Sequence, residues 1–340
     1  MGYLRYVFAV AVIFSHFGQS SSSASGQFAV FGFYVLSGFL MTRVPNDWYG
    51  FDLRRFALNR FLRLYPLFGL VSMLAVMAIS LAPATALQLN PALVVPSDPT
   101  EWLSYLSIVP LTQASPARPI PPSWSLAVEI INYGLLWLLT ARDRRWAYIA
   151  LAASVVYHVV VLGLGSPIYW RYAPSWAAVL PFTVGALVHH EGARFRVALS
   201  SSQCRGLVGL VGAVWLGLVA WGQTMPPTGF YNALYYCNIA VVAALAALLS
   251  AIPLSDRMKR SDRVVGDLAY PIFLGHWAVG VPLSAFLLHS TGRGPIAFAT
   301  ITLATTLLAL PLAWMGEMVI EPVRDRVRRR VSAGADSYRP

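Results

Sequence analysis

In the apolar stretch LRYVFAVAVIFSHFG, Leu4 to Gly18, an arginine and a histidine, Arg5 and His16, stand eleven residues apart. At about 100° per residue, eleven steps make three turns plus ~20°, so on a helix the two share a face. At about 1.5 Å per residue they are roughly 16 Å apart along the axis, half of a hydrocarbon layer of roughly 30 Å. An imidazole can take a proton from a hydroxyl, and a guanidinium fork can hold phosphate oxygens. Further on, PPSWSLAVEI sets Ser125 and Glu129 four apart on one helix face, and a carboxylate beside an imidazole orients it and raises its basicity. A third group, RRFALNRFLRLYP, holds Arg54, Arg55, Arg60 and Arg63. Arg60 and Arg63, three apart, present two guanidinium forks to an anionic, phosphate-bearing ligand.

What must position these groups follows from composition. Of 340 residues, 57% are hydrophobic and 11% charged, with mean hydropathy +0.60, far from a soluble domain of this length. The expectation is an all-α polytopic membrane protein of about ten transmembrane helices. The apolar runs lie near 3–19, 26–42, 64–82, 124–140, 147–163, 175–190, 206–222, 232–253, 266–288 and 295–320. The net charge of +11 is mostly a topology signal rather than a nucleic-acid signal. With the N-terminus cytoplasmic, the inward connections and tail hold 21 Lys and Arg, against three outside, Arg118, Arg171 and Arg293. The positive-inside rule then puts both termini in the cytosol. The chain reads as a single membrane domain over 1–324 followed by a basic cytoplasmic tail over 325–340.

The start, basic then apolar then SSSASG, also has the form of a cleavable signal peptide, but His16 and Phe17 end the apolar run and the charge bias continues through later spans. The two cysteines, Cys204 and Cys237, fall in an inward loop and inside a span, so no disulfide is expected. QSSSSAS reads as a polar turn. The longest outward loop, about 83–123, is proline-rich, with a short surface helix expected around EWLSYLSI.

Ionisable side chains within spans cost a few kcal/mol each and are functional candidates by default. They are Arg5, His16, Glu129, His158 and His276, with Asp267 and Glu317 near inner ends. On this topology Arg5 is at the inner face, while His16 and Glu129 share a depth toward the outer face. Plainer readings exist for each: His16 bonding a helix backbone or sitting among headgroups, the arginines as a stop-transfer cluster on anionic lipid, His276 as a core hydrogen-bonder. For His158, among aliphatic and tyrosine neighbours, packing is favoured. His189 and His190 read as interfacial residues. No HExxH, CxxC, GxSxG, P-loop or GxGxxG pattern occurs, leaving metal, thiol and nucleotide-fold chemistry without support.

Together these residues resemble acyltransferase family 3, integral-membrane O-acyltransferases that modify cell-surface sugars and some secondary metabolites. The family's arginine, ten residues, histidine spacing is matched by Arg5 and His16. Its second-helix Phe-Phe-x-Leu-Ser-Gly-Phe-Leu run is similar to FYVLSGFL, Phe33 to Leu40, which contains Ser37. NRFLRLYP resembles the inner arginine motif, Trp124 to Glu129 the Trp-Ser-Leu-x-x-Glu segment, Tyr270 to His276 the late Tyr-x-x-Tyr-Leu-x-His, and IEPVR the closing Glu-x-Pro region. The chain departs from the pattern in three places. MGYLR lacks the family's opening aspartate, so either a start lies upstream of Met1 or this end is simplified; Tyr34 replaces a phenylalanine; and Phe273 stands where tyrosine is common.

The resemblance implies an acyl-CoA donor, acetyl-CoA first, with its phosphates on Arg5, Arg60, Arg63 and Arg54. It implies transfer to a hydroxyl of a carbohydrate or glycoside outside a bacterial inner membrane, with no metal or redox cofactor. His16 would be the base, Glu129 its orienting or charge-balancing partner, and Ser125, Trp124, Tyr270, His276 and Ser37 contacts to substrate. A direct transfer and a covalent acyl-His16 relay both remain open, as do the acceptor, the acyl chain and the oligomeric state. The rival classes are a multi-pass transporter or glycolipid flippase, against which no convincing inverted repeat is found, and a non-catalytic assembly factor.

Overall fold

A computed structural model describes residues 1–18, 24–196 and 200–329. All regular structure among them is helical. In chain order the helices are α1 (Gly2–Phe17), α2 (Ala24–Val44), α3 (Leu53–Leu81), α4 (Pro83–Leu89), α5 (Pro99–Ser107), α6 (Trp124–Leu135), α7 (Arg144–Gly163), α8 (Tyr169–Tyr172), α9 (Val179–Arg196), α10 (Ser201–Gln223), α11 (Tyr231–Ala251), α12 (Asp256–Phe286), α13 (Pro295–Met315) and α14 (Glu321–Arg329). Single π turns extend α2, α6 and α13. Seven helices among the described residues are long and apolar enough to cross a membrane: α2, α3, α7, α10, α11, α12 and α13 with their extensions. Of the other expected spans, α1 is apolar but only 16 residues long, and α6 and α9 carry polar groups along their length. Residues 19–23 of the expected polar turn and the expected tail from 330 onward lie outside the described residues.

Two helices begin well before their apolar runs. α3 starts at Leu53, where the Asp52 side chain accepts from the Arg55 backbone N–H at 3.1 Å; α12 starts at Asp256, capped by Ser255. A side-chain cap satisfies amide donors that the first turn leaves open, so the helix can project past the hydrocarbon into water. Both projections carry charge: Arg54, Arg55, Arg60 and Arg63 on α3, Arg257, Lys259, Arg260 and Arg263 on α12.

α2 is the axis of the bundle. From Ala24 to Thr42 only Phe33, Ser37 and Leu40 are even partly open, a stripe at i, i+4 and i+7. A helix apolar all round belongs in an interior, and the open stripe faces a cavity described below. α9 crosses α2 at closest range where glycines meet: a Cβ on Gly38 would lie 2.0 Å from the Phe182 carbonyl oxygen, and one on Gly185 2.0 Å from that of Val35. Only residues without a Cβ permit that approach, the small-residue packing on which helices in lipid rely. α1 is wedged among α2, α12 and α13, with Gly2 against Gly266.

The proline-rich segment after α3 is a built cap rather than a loose loop. It contains α4 and α5, the latter covering the expected surface helix. Asp98 caps α5 by accepting from Thr100 and Glu101, and these bonds hold its carboxyl below the usual carboxylate value. Tyr105, fully buried, shares a hydrogen bond with Ser72 of α3 at 2.9 Å, and Tyr65 donates to the Ser107 carbonyl at 2.7 Å. Leu93, Ile108, Leu111 and Ile120 are buried beneath it.

Candidate active site

Three cavities follow one another through the bundle, each sharing walls with the next. The central one, about 250 Å³, lies against the open stripe of α2. α1 contributes Arg5, α3 Arg60 and Arg63, α6 Ser125 and Glu129, α12 Tyr270 and Phe273, and α14 Arg324. Four guanidinium groups thus face one carboxylate, an arrangement with room for a bound polyanion. Arg60 is held by Nη2 donating to Asn59 Oδ1 at 2.7 Å and Nη1 to Met41 Sδ at 3.0 Å; Arg324 Nη2 donates to the same Asn59 oxygen at 3.2 Å. Arg324 also pairs with Glu321. A wholly buried asparagine carbonyl therefore sets the direction of two arginines.

Glu129 is where α6 puts it, but its partners differ from expectation. It accepts from Ser37 Oγ at 2.6 Å and from the Tyr133 hydroxyl one turn along its own helix. His16 is not among them. Ser125, in the first turn of α6, lines both the central cavity and the one that holds His16, whereas Glu129, a turn further along, lines only the central one, among the arginines.

A second cavity, about 150 Å³, lies under the loop cap and is lined by His16, Ser15, Gln27, Asn90, Arg118 and Trp124 among others. Val30, Ser125 and Phe273 belong to both this cavity and the central one. Ser125 Oγ donates to the Pro122 carbonyl at 2.8 Å, which leaves its lone pairs for a ligand on either side. The His16 ring stacks on His276, centroids 5.4 Å apart and planes 10° from parallel, with Trp277 at 4.9 Å. His276 is fully buried and lines none of these three cavities; its ring backs that of His16.

The third cavity, about 480 Å³, opens among α3, α12, α13 and α14, and shares Arg5, Arg63, Tyr270 and Arg324 with the central one. The Tyr270 hydroxyl donates to the Leu64 carbonyl at 3.0 Å, joining α12 to α3 at that boundary. Of the arginines expected to act together, Arg54 stands apart: it is exposed and lines none of these cavities, because it sits on the outward face of the α3 projection. His158 is fixed by both ring nitrogens, to Tyr236 and to the Ala177 carbonyl, each at 3.0 Å.

Sequence reasoning missed Arg324, Asn59, Tyr133 and Arg118 as wall or wall-setting residues. Arg324 lies in the IEPVR segment and Asn59 directly precedes Arg60, which are the signals the sequence holds for them; nothing in spacing marks Tyr133 or Arg118.

The fold and site together define a helical integral membrane protein with three neighbouring cavities that share lining residues, arginine-lined at one end and histidine-bearing at the other. A family model described as an acyltransferase domain matches residues 1–315, and the chain belongs to that family, acyltransferase family 3. No curated protein and no solved structure matches the chain significantly. Membership makes this a membrane acyltransferase by class; donor, acceptor and catalytic step are questions of mechanism.

Proposed function

We propose that the chain transfers an acyl group, acetyl in the first instance, from cytosolic acyl-CoA to a hydroxyl of a cell-surface or secreted carbohydrate. In this reading ten segments, α1, α6 and α9 included, cross a bacterial inner membrane, with both termini and the arginine end in the cytosol. The observation that carries the proposal is the run of shared walls: an arginine-lined basal cavity, then the central cavity, then the cavity of His16. Phosphates of the donor rest on Arg5, Arg60, Arg63 and Arg324. The pantetheine arm occupies the central cavity along α2, and the thioester reaches the boundary formed by Val30, Ser125 and Phe273.

From the other side, the acceptor hydroxyl approaches His16. His16 takes its proton as the oxygen attacks the thioester carbonyl; the carbon–sulfur bond breaks, the CoA sulfur leaves with its electron pair, and the imidazolium returns the proton to it. Acylation of His16 itself, followed by transfer, uses the same positions. His276 and Trp277 hold the imidazole plane. Glu129 balances the charge of the arginines and fixes Ser37 and Tyr133, a positioning role distinct from orienting His16.

The test is mass spectrometry of surface glycans and extractable glycosides from cells with the intact gene, without it, and with His16→Ala at matched membrane level. An acetyl-sized increment lost in both altered strains is expected. Its persistence in the His16→Ala strain would overturn the assignment of the base, and an unchanged profile in all three would overturn acyl transfer.

A further inference from the structure

The cavity on the far side of Ser125 is more than a neutral opening. Arg118, from the loop cap, is only 7% exposed and lines it. Its backbone N–H donates to the Ala92 carbonyl at 2.9 Å and its Nη1 to the Thr112 carbonyl at 2.6 Å, so the side chain is firmly placed. Its Nε is buried without a hydrogen-bond partner, and among the described residues no carboxylate pairs with it. Burial pulls this guanidinium down to about 10 from its ordinary 12.5, which leaves it charged at neutral pH and without a counterion.

A buried charge is normally paired, because desolvation costs several kcal/mol that only an opposite charge or good hydrogen bonds offset. The rest of the lining supplies donors rather than acids. Asn90 Oδ1 is engaged by the Ala92 N–H at 2.9 Å, leaving its Nδ2 to donate, and Gln113 adds a second amide. Among the described residues, no aspartate or glutamate lines the cavity. Trp124 offers an aromatic face in the same wall.

From the cavity, the unpaired buried arginine and the donor-rich lining, we infer that this site binds an anionic sugar unit, one bearing a carboxylate or phosphate substituent, with the anion on Arg118. The inference rests on the reading above that the acceptor enters here. It narrows the substrate class from any surface carbohydrate to an acidic one, whose free hydroxyl is then presented to His16 across about 150 Å³ of space.

Binding to purified protein in detergent tests this without any turnover. D-glucuronate, D-glucose 6-phosphate and D-glucose are titrated against wild type, Arg118→Gln, Arg118→Lys and Arg63→Ala, with the CoA-induced thermal shift as the check that the Arg118 variants are folded and a cooperative ligand-free melting transition as that check for Arg63→Ala. Expected is a response to one or both anionic sugars and little to glucose, a Kd at least about tenfold weaker in Arg118→Gln, partial retention in Arg118→Lys, and no change in Arg63→Ala. The stronger of the two anions identifies carboxylate or phosphate. Equal affinity for glucose and the anions in wild type, anion binding unaffected by Arg118→Gln, or anion binding lost in Arg63→Ala would overturn the inference. Should Arg118→Gln fail to respond to CoA, Arg118→Lys with wild-type anion selectivity sustains the inference, and loss of selectivity in that folded variant counts against a placed guanidinium. Should cells lack His16-dependent acylation while this binding holds, the transfer proposal falls and the anion site stands.

Discussion

At the scale of single residues, the separation of His16 from Glu129 has a kinetic consequence. A carboxylate touching the imidazole would shift the pH dependence of transfer when neutralised; one bound to Ser37 and Tyr133 would not. Glu129→Gln is therefore expected to lower acyl transfer about 10- to 100-fold, the size of a lost charge-assisted hydrogen bond, with the midpoint of the pH–rate profile unmoved. A displaced midpoint would restore Glu129 as the partner of His16. The arginines divide in the same way. Arg63 lines two cavities and Arg54 none, so Arg63→Ala should raise the KM for acyl-CoA about tenfold or more while Arg54→Ala leaves it within about twofold. Steady-state kinetics in membrane vesicles with labelled acetyl-CoA separates the two.

Among the elements, the crossing of α2 and α9 is decided by backbone proximity. A methyl at Gly38 would stand 2.0 Å from the Phe182 carbonyl, so Gly38→Ala must push two helices apart and, with them, the stripe of Phe33, Ser37 and Leu40. Overpacking of this kind costs about 1–3 kcal/mol, and a lowered melting temperature in detergent together with reduced transfer is expected. Gly69 in α3 has open space around it, and Gly69→Ala should hold or raise the melting temperature, since alanine is favoured over glycine in a helix by about 1 kcal/mol. If both variants melt alike, the close approach is not what holds α9 to α2. Element boundaries illustrate the limits of hydropathy: the apolar runs expected at 64–82 and 266–288 are the lipid-buried parts of helices that start at Leu53 and Asp256. Caps at Asp52 and Ser255, not apolar residues, set those starts, and they swing the arginines into helical register with the core.

For the molecule as a whole, the proposed transfer requires donor and acceptor to meet across the boundary of Val30, Ser125 and Phe273. Val30 is 6% exposed and on the axial helix, so a bulky side chain there has nowhere to go except into the two cavities it lines. Val30→Trp should abolish transfer while leaving the CoA-induced thermal shift of the arginine end intact. Transfer at wild-type rate in that variant would mean donor and acceptor meet elsewhere.

The sequence by itself determined the helical membrane class and the family, and it singled out Arg5, His16, Glu129 and His276 as candidates, because lipid penalises buried charge so heavily that they stand out against apolar neighbours. Spacing along one helix is also fixed by geometry, and Arg5 and His16 line neighbouring cavities that share Val30, Ser125 and Phe273. Only the tertiary structure decided who partners whom. Ser37 and Glu129 are 92 residues apart in the chain, Asn59 and Arg324 265 apart, and no periodicity encodes such meetings. The same holds for Arg118, by sequence only one of three outward arginines, which becomes a buried and uncompensated charge because Tyr105, Ile108 and Ile120 anchor the cap over the His16 end.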